Sequence, residues 1–224
     1  MKTIRTLLAD DHVVIREGLA AILSADDRIE VVAEACNGRE AVNLAMALHP
    51  EVVVMDIGMP VLNGLDAARE IMTAAPSTKV IILSAHCEDA HIDRFVSLGA
   101  YGFLIKQESA DSLVKAVCRA MEGKMTYSPE VALRIKTRAQ AGANLDPAKR
   151  VTPISLTARE TETLQLVAEG HSNKQIAGIL GISTKTVEKH RQRLMDKLNI
   201  RETASLTRFA AAQGIIERRV AITT

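Results

Sequence analysis

The chain has 224 residues, enough for one large domain or two small ones, and its 47% hydrophobic content can fill sizeable cores. Aromatics make up only 2% and Trp is absent, so Leu, Ile, Val and Ala must supply the packing. No apolar stretch approaches the roughly 20 residues of a membrane span, no signal-peptide pattern follows Met1, and three scattered cysteines (Cys36, Cys87, Cys118) offer no disulfide framework; a cytoplasmic protein with no membrane partner is expected.

The net charge of +1 hides an asymmetry. Residues 1–125 carry 12 Lys and Arg against 18 Asp and Glu, residues 126–154 carry 5 against 2, and residues 155–224 carry 11 against 7. An acidic front and a basic back suggest two modules, the second facing something anionic, although +4 on the last segment is also compatible with ordinary surface.

In chain order, the front module reads as five strand–helix pairs. Strands are expected near 4–9, 29–35, 51–55, 79–84 and 101–105, and helices near 13–25, 38–48, 64–75, 88–98 and 109–123. The first helix should bury Ile15, Leu19, Ile22 and Leu23, and the last Val114, Val117, Cys118 and Met121. Cys36 and Cys118 read as core. Five alternating units make a doubly wound α/β domain with a five-stranded parallel sheet. In such sheets ligands gather beyond the carboxyl ends of the strands. The residues ending these strands are Asp10-Asp11, Asp56, Ser84 and Lys106. Three acids, a hydroxyl and an amine at one edge suit a divalent metal and a phosphoryl group. Singly, each is weak: a strand-end Asp is more commonly a helix cap, and a lone Lys a solvated one. His12 reads as an exposed loop histidine, and the spacing of His86, Cys87 and His91 matches no zinc pattern.

A short amphipathic helix is expected from Tyr127 to Arg138, started near Ser128-Pro129. Residues 139–154, with Gly142, Pro147 and Pro153, read as linker. Beyond it lie two capping boxes, Thr157-x-x-Glu160 and Ser172-x-x-Gln175, and a third cap at Ser183. They mark helices ending near Gly170, Gly181 and Lys197, with a fourth over about 203–213. The pair around Gly181-Ile182 is a helix-turn-helix. Its second helix should bury Val187, Leu194 and Leu198 and present Lys185, Lys189, Gln192 and Asp196 elsewhere, with Glu188 flanking. Such a face can enter a DNA major groove, or be a solvated basic helix. Arg191 lies about 200° round the helix from Lys189 and is placed to hold phosphate.

Two sets of motifs carry a resemblance. Ala9-Asp10-Asp11-His12, Asp56-x-x-Met59-Pro60-x-x-x-Gly64, Ser84-Ala85 and Gly99-Ala-Tyr-Gly-Phe-Leu-Ile-Lys106 resemble the receiver domains of two-component response regulators over residues 3–123. Leu156-Thr157-x-Arg159-Glu160, Val167-Ala168-Glu169-Gly170, Ser172-Asn-Lys-Gln-Ile-Ala177, Thr186-Val187-x-x-His190 and Lys197-Leu198 are similar to the DNA-binding domain of NarL/LuxR-type regulators over about 152–216.

The resemblance implies that Asp56 accepts a phosphoryl group from a sensor histidine kinase or phosphotransfer protein. Mg²⁺ would be held by Asp11, Asp56 and the Gly58 carbonyl, with Asp10 acting through a water. Ser84 and Lys106 would bind the phosphoryl oxygens, and Phe103 would be the aromatic switch. On the DNA side the implied contacts are Asn173, Lys174, Thr184, Lys185, Thr186, Glu188, Lys189, Arg191, Gln192 and Arg193; His190 reads as structural. Glu188 stands where several members carry a basic residue. Gln107 replaces the proline that often follows the lysine, which leaves the isomer of that peptide open.

The expected organisation is a flavodoxin-like receiver (1–125), a linker with a short helix (126–154), a four-helix LuxR-type domain (155–216) and a tail (217–224). The expected function is a transcription regulator that binds promoter DNA as a homodimer when phosphorylated, a phosphoryl acceptor rather than a turnover enzyme. A haloacid-dehalogenase-type phosphotransferase would place D-x-D on the first strand, where this chain has the adjacent pair. A phosphorylation-independent binder would not need intact acids.

Overall fold

In the computed structural model, residues 3–85, 88–142 and 156–216 are described, and the chain divides into two compact units. The His86-Cys87 pair, linker residues 143–154 and the tail 217–224 lie outside the described residues.

The first unit alternates strand and helix as its hydrophobic runs require. It comprises β1 (Ile4–Ala9), α1 (Val13–Ser24), β2 (Ile29–Ala35), α2 (Gly38–Leu48), β3 (Val52–Asp56), α3 (Gly64–Ala74), β4 (Lys79–Ser84), α4 (Asp89–Leu98), β5 (Gly102–Ile105), α5 (Ala110–Met121), β6 (Thr126–Tyr127) and α6 (Pro129–Gly142). The strands pair in parallel in the order β2-β1-β3-β4-β5-β6. Every residue of β3 is buried, as a central strand covered on both faces demands. Winding runs outward in both directions from β1 and β3, so the crevice between their carboxyl ends is the switch point where a doubly wound sheet opens to ligands.

Four expectations need correction. The sheet has a sixth strand: the two residues of β6 pair with Gly102 and Phe103 of β5. The helix after it runs to Gly142, four residues into the expected linker. The buried stripes also shift. On α1, Ile15 is 38% exposed and only Leu23 is fully buried, because the first turn stands beyond the carboxyl end of β1. On α5 the buried residues are Leu113, Ala116, Val117 and Ala120, while Met121 is exposed. Small alanines allow the closest approach to the sheet and turn the stripe by about one residue. Cys36 is exposed with its thiol against Glu40, and Cys118 is half-buried, so neither is core.

The second unit is helical: α7 (Ala158–Ala168), α8 (Asn173–Leu180), α9 (Thr184–Leu198) and α10 (Thr203–Ala212). Both capping boxes form, with side chain and backbone bonded reciprocally at Thr157/Glu160 and Ser172/Gln175. Gly181, at φ +65°, ends α8 in the left-handed conformation that a helix terminus asks of glycine. Leu164, Ile176, Val187, Leu194, Leu198, Leu206 and Ala210 join in one core.

Candidate functional site

Four parallel strands bring the predicted pocket together. Asp10 follows β1, Asp56 closes β3, Ser84 closes β4 and Lys106 follows β5. Asp10 and Ser84 are fully buried, and Asp56 nearly so. The Lys106 ammonium lies 2.7 Å from Asp10 Oδ2 and 2.9 Å from Asp56 Oδ2. Burial by itself pulls this lysine towards neutrality; the Asp56 charge and the bonds to Asp10 and Asp56 outweigh that and hold its pKa above the ordinary lysine value. It is a fixed cation poised between two carboxylates.

Asp10, Asp11, Asp56 and His12 each bring a ligand atom within 4.8 Å of the others'. His12 is exposed at the N-cap of α1, as a loop histidine should be, yet its Nδ1 lies 2.7 Å from Asp11 Oδ1. Three carboxylates around one point form the all-oxygen donor set that a small hard divalent cation prefers. Gly58, whose carbonyl is the fourth expected ligand, stands two residues beyond Asp56. The pocket is thus an acidic site of the kind that binds Mg²⁺.

Sequence reasoning quoted Gly64 but missed the other groups that hold these acids in place. Arg16 donates from Nη1 to the Asp10 carbonyl at 2.7 Å and from Nε to Glu34 at 3.1 Å. Gly64 packs its Cα on the backbone of Asp56: a Cβ there would lie 1.7 Å from the Asp56 carbonyl oxygen. Asn63 caps α3 by accepting from the Asp66 N–H. The buried Asp66 carboxylate accepts from Asn63 Nδ2 at 2.6 Å and pairs with Arg94 of α4 at 2.7 Å. These partners are 3 and 28 residues from Asp66, and only the Asn63 cap had a local signal. Phe103 is wholly buried, its ring centroid 5.1 Å from that of Phe95. No peptide bond among the described residues is cis, so Lys106–Gln107 is trans.

In the second unit α9 divides its residues as its pattern requires. Val187, Leu194 and Leu198 are buried, while Lys185, Glu188, Lys189, Gln192 and Arg193 are exposed. Ser183 caps the helix by accepting from the Thr186 N–H, and its hydroxyl lies 2.8 Å from the Thr186 hydroxyl. Thr184 and Lys174 are exposed at the starts of α9 and α8. Gln192 donates to Asp196 at 2.9 Å. Arg191 and Asn173, both expected to contact DNA, bond to each other. Arg191 is half-buried and donates to Asn173 Oδ1 at 2.7 Å and to Thr203 Oγ1 at 3.2 Å, tying α9 to the starts of α8 and α10.

Comparison with known proteins places both units. The receiver-domain model of response regulators matches residues 6–118, and that of the bacterial regulatory proteins of the LuxR family matches residues 154–210. The response regulator protein VraR of Staphylococcus epidermidis is 32% identical over 96% of this chain and 99% of its own length. The transcriptional regulatory protein DegU of Brevibacillus brevis is 34% identical over 96% of each. Among solved structures, the response regulator ChrA of a heme-sensing two-component system is 36% identical, covers 96% of this chain and 100% of its own, and has a TM-score of 0.53. RcsB of Salmonella enterica serovar Typhimurium, bound to promoter DNA in the presence of phosphomimetic BeF₃⁻, is 26% identical, covers 93% and 98%, and has a TM-score of 0.55.

Proposed function

We propose, for a chain that belongs to the response regulators of two-component systems and joins a receiver domain to a LuxR-type DNA-binding domain, that Asp56 is the phosphoryl acceptor controlling DNA binding. The observation that carries this reading is the Lys106 ammonium bridging Asp10 and Asp56 at the switch point of the sheet, with Asp11 beside them. The receiver is taken as residues 1–125, the connecting segment as 126–154, the DNA-binding domain as 155–216 and the tail as 217–224.

The Asp56 carboxylate attacks phosphorus on a phosphohistidine of the partner kinase. An O–P bond forms, the N–P bond breaks, and the imidazole leaves with its electron pair and is protonated by solvent. Mg²⁺, held by Asp11, Asp56 and the Gly58 carbonyl with Asp10 acting through water, would neutralise the oxygens of the transferring group. Lys106 offers its charge to the same oxygens, and Ser84 a hydroxyl donor. The new acyl phosphate draws Ser84 and Lys106 towards it and fixes the ends of β4 and β5, and Phe103 reports that change at the surface of α4. The protein is an acceptor rather than a turnover enzyme, acting in the cytoplasm as a homodimer on paired DNA half-sites. The DNA-bound, BeF₃⁻-treated RcsB supports the link between phosphoryl chemistry and promoter binding. Lys185, Glu188, Lys189 and Gln192 would read base edges; Asn173, Lys174, Thr184, Thr186, Arg191 and Arg193 would hold the phosphate backbone.

The test is intact mass after acetyl phosphate with Mg²⁺, with DNA affinity measured before and after. The wild type should gain one phosphoryl group and bind a selected operator more tightly. Asp56→Asn, or chelation of Mg²⁺, should abolish both changes. Labelling of Asp56→Asn at the wild-type rate would refute the assignment.

A further inference from the structure

We propose that α6 and the acidic edge of α4 form a latch seated on the buried Phe103, so that phosphoryl transfer to Asp56 tightens the hold of α4 on α6. The proposal rests on the reading of Asp56 as acceptor and concerns the first unit alone.

The start of α6 is fastened to the strand that carries Phe103. Strand β6 pairs with Gly102 and Phe103, the Ser128 N–H donates to the Phe103 carbonyl at 3.0 Å, and the Ile105 N–H donates to Ser128 Oγ at 2.8 Å. Three of the few aromatic rings in this chain then make a continuous path. Phe103 tilts against Phe95 of α4 at 5.1 Å, and Phe95 meets Tyr127, two residues before α6, edge-on at 5.8 Å. Such rings prefer these offset geometries, so each fixes the next.

Further along, the two helices carry matching charge. Asp89 and Asp93 stand one turn apart on α4, and Arg134 and Arg138 one turn apart on α6. Arg134 donates to Asp89 at 2.9 Å, Arg138 Nη1 lies 3.3 Å from the same carboxylate, and Arg138 also forms a two-pronged pair with Asp93. Beside these pairs runs an open groove of about 600 Å³ lined by Asp89, Glu130, Leu133, Arg134, Thr137 and Arg138. Among the described side chains of α6 only Val131 is buried, and beyond it solvated ion pairs face α4, so that part can open without unfolding the domain.

Both ends of the latch lead to the pocket. Asp89 follows Ser84 by five residues, and Arg94 of the same helix pairs with Asp66 beside the Asn63 cap and Gly64. Phosphoryl oxygens that engage Ser84 and Lys106 fix the ends of β4 and β5. Phe103 stands on β5 in register with Ile82 of β4, so the position of its ring follows those strand ends. A firmer position for Phe103 is a firmer seat for Phe95, Tyr127 and α6.

Hydrogen exchange on the full chain tests this, with uptake read by intact mass on the same sample. Acetyl phosphate with Mg²⁺ should slow exchange across residues 129–142 by about threefold or more. The double variant Arg134→Glu, Arg138→Glu should take up phosphoryl like the wild type and lose the slowing. Adding Asp89→Arg and Asp93→Arg should restore it. Normal uptake with unchanged or faster exchange in α6 overturns the latch alone, as does slowing that survives the double variant. A wild type that takes up no phosphoryl overturns the latch together with the acceptor reading.

Discussion

The pocket at the strand ends and the outer face of α9 use charge in opposite ways. In the pocket, Lys106, Asp10 and Asp56 are at most 12% exposed and lock one another at 2.7 and 2.9 Å. On α9, Lys185, Lys189, Glu188 and Arg193 stand in solvent. Buried charges interact strongly and in one geometry, which the proposed phosphoryl chemistry needs; exposed ones are screened and adaptable, which suits a surface proposed to find DNA by its field and then adjust. The first kind of site should therefore fail abruptly when its frame is disturbed, and the second by degrees.

Glycine substitutions break this comparison most strongly. Gly64→Ala puts a methyl group 1.7 Å from the Asp56 carbonyl oxygen, and backbone cannot yield as a side-chain tip can. It should cost roughly 3 kcal/mol of stability and sharply reduce phosphoryl uptake. Gly178→Ala, within α8 and with nothing inside 4 Å, should instead stabilise the helical unit by about 0.5–1 kcal/mol. Chemical denaturation of both variants checks the pair; a Gly64→Ala protein that melts like the wild type would mean the frame around Asp56 is loose.

On α9 the effects should be smaller and separable. Lys189→Ala leaves the core untouched and should weaken operator binding by about 1–3 kcal/mol with relaxed preference at one position of each half-site. Arg191→Ala should weaken operator and scrambled DNA alike and flatten the salt dependence by about one unit per site. Because its guanidinium also ties Asn173 and Thr203, it should in addition lower the stability of the helical unit by about 1 kcal/mol or more. Binding at several salt concentrations, with melting curves alongside, distinguishes them. If Lys189→Ala weakens both DNAs equally, that lysine only contacts phosphate.

The contrast between the two sites also explains what could be read from the chain. Strand-end acids and capping boxes are local signals, so β1, β2, β4 and α2 fell where the pattern put them, and the pocket assembled from residues on four strands. The parallel topology, known from the alternation alone, forces those ends together. What escaped was either too short or too distant. Two residues, Thr126–Tyr127, cannot show a strand period. The pairing of Asp66 with Arg94, or of Arg138 with Asp93, joins helices whose spacing no periodicity predicts. The stripe on α5 differs from the expected one because Ala116 and Ala120 count little as hydrophobic residues yet are buried in the core.

The smallest expected effect lies at the first capping box. Glu160 receives the Thr157 N–H at 2.8 Å and faces Lys197 of α9 at 2.9 Å. Partial burial raises its pKa, but the Lys197 bond and the Thr157 N–H prevail, and the carboxyl sits below its ordinary range. The sign follows from linkage. A folded-state pKa below the unfolded one gives stability that is fully present above the unfolded value, near pH 4.3, and is lost as pH falls through the depressed value. Glu160→Gln keeps an acceptor for the cap but removes the charge, so the helical unit should lose at most about 1 kcal/mol at neutral pH. That difference should vanish in acid. Denaturation midpoints for both proteins, followed from neutral pH down to about pH 3, should converge. Curves that stay parallel throughout would show that the Glu160–Lys197 pair contributes nothing, and that α7 and α9 are held together by their apolar core alone.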